Sequence, residues 1–160
     1  MSKILELYQL IVDKLAGSEP IFNFCIANFF KPQTVYLGFK WEENPTEEDY
    51  PLIVLTSIDR VNKGDTSGCV SLIAIINLFI EVENDLEENE LPSGVKTKKY
   101  KGVELIEEFR NLVEGEILKF VNIGCKIDID GETDLINLHP FYKSTSEIIF
   151  EMKKIKRSVR

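Results

Sequence analysis

The stretch Cys69-Val70-Ser71-Leu72-Ile73-Ala74-Ile75-Ile76-Asn77-Leu78-Phe79-Ile80-Glu81-Val82-Glu83 decides the fold. One alternating set holds Val70, Leu72, Ala74, Ile76, Leu78 and Ile80. The other holds Ile73, Ile75 and Phe79, with Ser71 and Asn77. Apolar residues on a period of two predict a strand, the longest in the chain. Both faces are largely apolar, so the strand is expected to be covered on both sides. A helix of the same chain covers one side in this reading, and a neighbouring subunit is expected to supply the second cover.

Upstream, Leu52 to Ile58 is a β-rich run opened by Pro51, a residue tolerated at the first position of a strand. Asn62-Lys63-Gly64-Asp65 is a turn cluster. Val35, Leu37 and Phe39 alternate within Gln33 to Lys40 and predict a short strand, followed by an acidic loop from Glu42 to Tyr50. Trp41, at the edge of that loop, reads either as buried packing or as an interface anchor. Ile4, Leu5, Tyr8, Ile11, Val12 and Leu15 have helical spacing, with Ser2 as cap and Gly17 and Pro20 as the end. Between these lies Ile21 to Phe30, aromatic and apolar. Its alternation, Phe22, Phe24 and Ile26, is broken by Phe29-Phe30-Lys31-Pro32, which leaves its state open.

Downstream, Asn84 to Lys99 is polar, acidic and then basic, with Pro92 and Gly94; it reads as a long loop of the kind that is usually functional or mobile. Gly102 to Phe120 carries Val103, Ile106, Phe109, Val113, Ile117 and Phe120 on one helical stripe, with Glu107, Glu108, Asn111, Glu114 and Lys119 facing away. Asp130-Gly131 between Cys125 to Ile129 and Thr133 to Leu138 predicts a hairpin. Ser146 to Lys154 is the last strand, with Ile148, Phe150 and Met152 on one side. The fold class is therefore α+β: one domain over residues 1–160, with a mainly antiparallel sheet of about five to six strands, an N-terminal helix and a second long helix on one face.

At 160 residues the chain suffices for one core, and its 44% hydrophobic and 29% charged residues place it among globular proteins rather than disordered ones. Cys25, Cys69 and Cys125 are odd in number and form no CxxC, which argues against a disulfide frame or zinc site; Cys69 and Cys125 are expected to be reduced core thiols. No apolar leader follows Met1, and the run Leu72 to Ile80 is far short of the roughly 20 residues of a membrane span, so a cytoplasmic site of synthesis is expected. A net charge of −8 argues against general nucleic-acid binding, which requires cations to neutralise phosphates. Acidic blocks at Glu42 to Asp49 and Glu81 to Glu90 oppose basic ones at Lys96 to Lys101 and Lys153 to Arg160. Such segregation predicts contacts between charged surfaces, within one chain or between copies. The basic end reads as a solvated terminus or as a contact for an acidic partner or DNA.

No constellation of catalytic residues emerges. Asp128, Asp130, Glu132 and Asp134 alternate, but counted from Asp128 a calcium loop would need Gly sixth and Glu twelfth, where this chain has Gly131 fourth and His139 twelfth. These acids read as the solvent face of the hairpin. His139 is the single histidine and cannot build a zinc triad alone; nothing local supports a Cys–His pair, and it reads as a strand-end residue. Phosphate-cradling glycine loops, GxSxG and HExxH are absent from the sequence. No catalytic, cofactor or metal residues are assigned.

Glu48-Asp49-Tyr50-Pro51-Leu52-Ile53-Val54-Leu55 resembles the tyrosine-proline entry to an apolar strand in the tail terminator, or tail completion, proteins of long-tailed bacteriophages and prophages. The long strand from Val70 with its polar loop, the helix entered through Gly102-Val103-Glu104-Leu105, and the closing Ile148-Ile149-Phe150-Glu151-Met152 are similar to that family too. The pattern extends over roughly residues 1–156. The resemblance implies a non-enzymatic virion assembly protein, made in the bacterial host cytoplasm and ending up in the virion tail. It implies a homo-oligomeric ring, typically a hexamer, that caps the tail tube protein and offers its other face to the head completion or connector protein for head-tail joining. It implies no cofactor, no membrane and no sequence-specific nucleic acid. The interface residues expected are Glu87, Glu88, Lys96, Lys98, Lys99 and Arg157, with charge reversal at Lys96, Lys98 and Lys99 weakening assembly. Rival readings are an acidic immunity or antitoxin-type protein that blocks a basic partner, and a metal-dependent hydrolase using the acids at 128–134.

Overall fold

The computed structural model describes residues 3–38, 46–62, 69–119, 125–133, 135 and 139–153. Its elements are α1 (Lys3–Ala16), α2 (Glu19–Phe29), β1 (Thr34–Leu37), a 3-10 turn at Glu47–Asp49, β2 (Leu52–Asn62), β3 (Cys69–Glu81), β4 (Leu86–Glu90), β5 (Lys96–Tyr100), α3 (Lys101–Leu118), β6 (Cys125–Thr133) and β7 (Phe141–Lys153). Five strands form one sheet in the order β1-β2-β3-β7-β6, antiparallel except for β1, which runs parallel to β2. β4 and β5 form a separate antiparallel pair. The fold is α+β, as the sequence indicates. The expected turn beyond Asn62, Trp41, Asp134, Arg157 and the basic end after Lys153 lie outside the described residues.

β3 is the central strand, and its two sets behave differently. Leu72, Ala74, Ile76, Leu78 and Ile80 are buried in the core with Ile106, Phe109, Val113 and Ile117 of α3 and Ile148 and Phe150 of β7. Ile73, Ile75, Asn77 and Phe79, on the opposite face, are only partly buried. The helices therefore cover one face of the sheet.

Three expectations are corrected. Ile21 to Phe30 belongs to a helix: Ser18 accepts a hydrogen bond from the Ile21 N–H as N-cap, and Pro20 sits in the first turn, where its missing N–H costs nothing. Pro20 thus starts α2 rather than closing α1. Asp130-Gly131 does not turn; β6 runs straight through it, with Asp130 opposite Glu147 and Gly131 opposite Ser146. Asn84 to Lys99 is not a loop but the β4–β5 hairpin.

An added Cβ would crowd a neighbour where β6 passes α3 and where α3 begins. A Cβ at Gly131 would meet the guanidinium of Arg110, the mobile end of a long side chain; one at Gly102 would meet the ring of buried Tyr142. Gly131→Ala is expected to change stability by less than about 1 kcal/mol, since Arg110 can move. Gly102→Ala is expected to cost about 1–3 kcal/mol, because the Tyr142 ring cannot. Thermal unfolding of the two variants decides this; equal losses would contradict it.

Candidate functional site

The hairpin is an arm. All ten residues of β4 and β5 are exposed, so neither face lies against the body. With five residues in each strand it extends about 17 Å. Its cross-strand pairs are Glu87 with Lys99, Glu88 with Lys98 and Glu90 with Lys96. Opposite charges across a ladder stabilise the pairing. Lys98 Nζ lies 3.5 Å from Glu88, Lys101 Nζ lies 3.0 Å from Glu87, and Lys99 pairs with Glu104 of α3. The hydrogen bond to Glu104 holds the Lys99 ammonium above its ordinary pKa. Five of the six expected interface residues are thus brought together, but as partners of one another along one arm. Along the arm, acidic β4 faces basic β5 within the subunit, so charge reversal at Lys96, Lys98 and Lys99 would first damage the arm's own ladder. The arm's tip carries exposed Leu91 and Val95.

The root of the arm is a polar cluster that sequence reading missed. Asp85, immediately before β4, is buried. Its Oδ2 accepts the Tyr142 hydroxyl at 2.5 Å and the Gly102 N–H at 3.0 Å, and its main-chain oxygen accepts the Lys101 N–H at 3.0 Å. α3 has no side-chain cap of its own at Tyr100, so Asp85 satisfies the first helical N–H groups and places negative charge at the positive end of the helix. Its Oδ1 has no hydrogen-bond partner, and His139 Nδ1 lies 2.5 Å from it. The Tyr100 ring lies against the imidazole, with centroids 5.1 Å apart. Burial raises the Asp85 pKa, but the bonds from Tyr142 and Gly102 and the charge of His139 outweigh it, and the carboxyl stays below its ordinary value. Tyr142 is pushed up, first by burial and then by its bond to Asp85. His139, just before β7, thus lies against this cluster.

The second feature is the sheet face away from the helices. Residues 46–51 close part of it. Asp49 accepts the Tyr36 hydroxyl at 2.6 Å and the Thr46 N–H at 3.0 Å, and the Tyr36 bond is the main reason its pKa lies low. The Tyr50 ring lies 6.3 Å from Phe79 and 5.8 Å from Phe141. Leu52 and Val54 are buried here, outside the helix-side core. Beyond this cover, Ile73 pairs across with Ile149 and Ile75 with Glu147, all at least partly open to solvent. A hydrogen-bonded row, Thr56, Asn77 and Thr145, ties β2, β3 and β7 together on this face.

The third feature is the outer side of α2. Ile21, Phe24 and Cys25 face the core, and burial pushes the Cys25 thiol up to about 12. Phe22, Ile26 and Phe30 recur every four residues on the other side and are 45%, 38% and 88% exposed. Phe30 caps the helix with φ of 61°, a left-handed conformation that is unfavourable for a bulky residue. Beside it opens a cleft of about 350 Å³ lined by Phe29, Phe30, Lys31, Tyr50, Glu81 and Glu83, with Asn28.

Among the described residues, no three His, Cys, Asp or Glu side chains converge to hold a metal ion; Asp128, Asp130 and Glu132 are exposed along edge strand β6. Nor is any described helix long and apolar enough to cross a membrane. No protein-family model matches the sequence, and no curated protein matches it.

Proposed function

We propose that the chain is a non-enzymatic assembly protein that forms a ring of identical subunits, ending the tail tube of a long-tailed bacteriophage or prophage and contributing to the head-tail joint. The observation that carries this reading is the apolar surface the subunit leaves uncovered. Phe22, Ile26 and Phe30 on α2 are exposed, and Ile73, Ile75 and Ile149 on the sheet are partly so, one set in the helix layer and one on the far side of the sheet. Contiguous exposed apolar patches mark interaction sites, and aromatic residues are enriched at the buried centres of interfaces. Two different patches on one chain suit head-to-tail contacts, which close into rings. The resemblance to tail terminators supplies the biological setting; the geometry supports the part of it that concerns self-assembly.

Phe30 gives the sharpest test. A fully displayed aromatic in a strained conformation is costly, and strain of this kind collects at functional positions. Phe30→Gly is expected to raise stability by about 0.5–1 kcal/mol, by relieving the left-handed strain. The same substitution is expected to weaken self-association about tenfold or more, since truncating a central aromatic costs an interface about 2 kcal/mol. Urea unfolding and sedimentation equilibrium read the two effects separately. An unchanged association constant would remove Phe30 from the interface.

A further inference from the structure

We propose that His139 and Asp85 form a protonation-dependent clasp at the root of the β4–β5 arm, so that the charge on one imidazole sets how firmly the arm is held. Both strands of the arm enter the body at this point. Asp85 immediately precedes Leu86, the first residue of β4, and Tyr100 is the last residue of β5. His139 touches both: its Nδ1 faces the Asp85 carboxylate at 2.5 Å and its ring lies against Tyr100. The turn that carries it is fixed to the end of β3 by the Val82 N–H, which donates to the Pro140 oxygen at 2.8 Å. The arm thus joins the body at this cluster, with the Lys99–Glu104 and Lys101–Glu87 pairs tying it to the start of α3.

The Asp85 side chain is 1% exposed and His139 is 41% exposed, so the carboxylate is fixed and dry while the imidazole can exchange protons with solvent. A neutral imidazole offers Asp85 one hydrogen bond at most. An imidazolium offers the same bond and adds a full opposite charge, beside a carboxylate removed from water. Histidine is also the side chain that ordinarily changes charge between about pH 5 and 8, and this chain has a single one. The titratable groups around the ring are Asp85 from the β3–β4 link, Tyr100 from β5 and Tyr142 from β7. Lys101, at the start of α3, is paired with Glu87. Asp85 stays ionised because Tyr142 and Gly102 hold its other oxygen. The clasp is firm when the imidazole is protonated and loosens as pH rises and the proton leaves.

This goes beyond the assembly reading and does not depend on it, because the test reads the arm in the isolated chain. Amide hydrogen exchange of residues 86–100, corrected for intrinsic rates, is measured at about pH 5.5 and 8, on either side of the ordinary histidine range. In the wild type, the arm is expected to be about fivefold better protected at the lower pH, the order expected for adding a partly exposed ion pair, while β3 protection stays constant. In His139→Gln and in Asp85→Asn the arm's pH response should vanish. NMR titration of the His139 ring in the wild type should share its midpoint with the arm's protection. Equal wild-type protection at both pH values, a response that persists in His139→Gln, or two different midpoints would each overturn the proposal.

Discussion

Asp85→Ala is expected to destabilise the protein by about 3–5 kcal/mol, as is usual when one member of a buried, charged cluster is removed. Two groups lose their acceptor at once, the Tyr142 hydroxyl and the Gly102 N–H, and the His139 imidazole loses the carboxylate beside it. The first two are buried, and buried donors without partners bear the full desolvation penalty. Asp85→Asn keeps one carbonyl oxygen in place and is expected to cost less, about 1–2 kcal/mol. The pH dependence follows from the direction of the shift. The folded Asp85 pKa lies below its unfolded value, so Asp85 contributes stability above the unfolded value, about 4, and that contribution is lost as pH falls through the folded value. Tyr142 works in the opposite sense: its raised pKa contributes below about 10 and is lost as pH rises beyond that. Urea unfolding across the acid range should show a slope in the wild type that Asp85→Asn flattens. A loss below about 1 kcal/mol for Asp85→Ala, the net worth of one ordinary hydrogen bond, would mean that the cluster is not closed from water.

Phe109→Ala should be comparably severe, with a loss of about 3–5 kcal/mol. Phe109 is fully buried at the middle of the α3 stripe and stacks on Phe24 of α2 with ring centroids 5.8 Å apart. It stands where α2, α3 and the sheet meet, so truncation opens a cavity that several elements would have to move to fill. The control is Phe22→Ala on the outer side of α2, expected to stay within about 0.5 kcal/mol. If the two variants unfold at the same denaturant concentration, the assignment of inner and outer faces of α2 is wrong.

Why some elements were legible and others not has physical causes. β3 and α3 announce themselves because each has a long apolar period that tertiary contacts then use. α2 hides because it is apolar all round: Phe24 and Cys25 serve the core while Phe22, Ile26 and Phe30 face out, so no stripe survives. At the same time Phe22, Phe24 and Ile26 mimic a strand. The surer signal was local, Ser18 followed by Pro20 as cap and first turn. Asp130-Gly131 has turn chemistry, yet the register with β7 and the Arg110 side chain above Gly131 give glycine another reason to be there. The arm escaped because a hairpin exposed on both faces has no apolar alternation. Its trace in the sequence was mirror-image charge, Glu87 to Glu90 against Lys96 to Lys99, about Pro92 and Gly94. Asp85 and His139 are far apart in sequence and meet only through the fold, so no spacing could have paired them.

Sedimentation velocity, comparing the wild type with Ile73→Lys/Ile149→Lys, tests most directly whether the uncovered sheet face is where copies meet. These two residues are cross-strand partners on that face, outside the core that the helices seal. The wild type is expected to sediment as a closed oligomer at micromolar concentration, and the double variant as a monomer with its cooperative unfolding intact. A wild-type chain that remains monomeric at every concentration, with the lysine pair changing nothing, would contradict it.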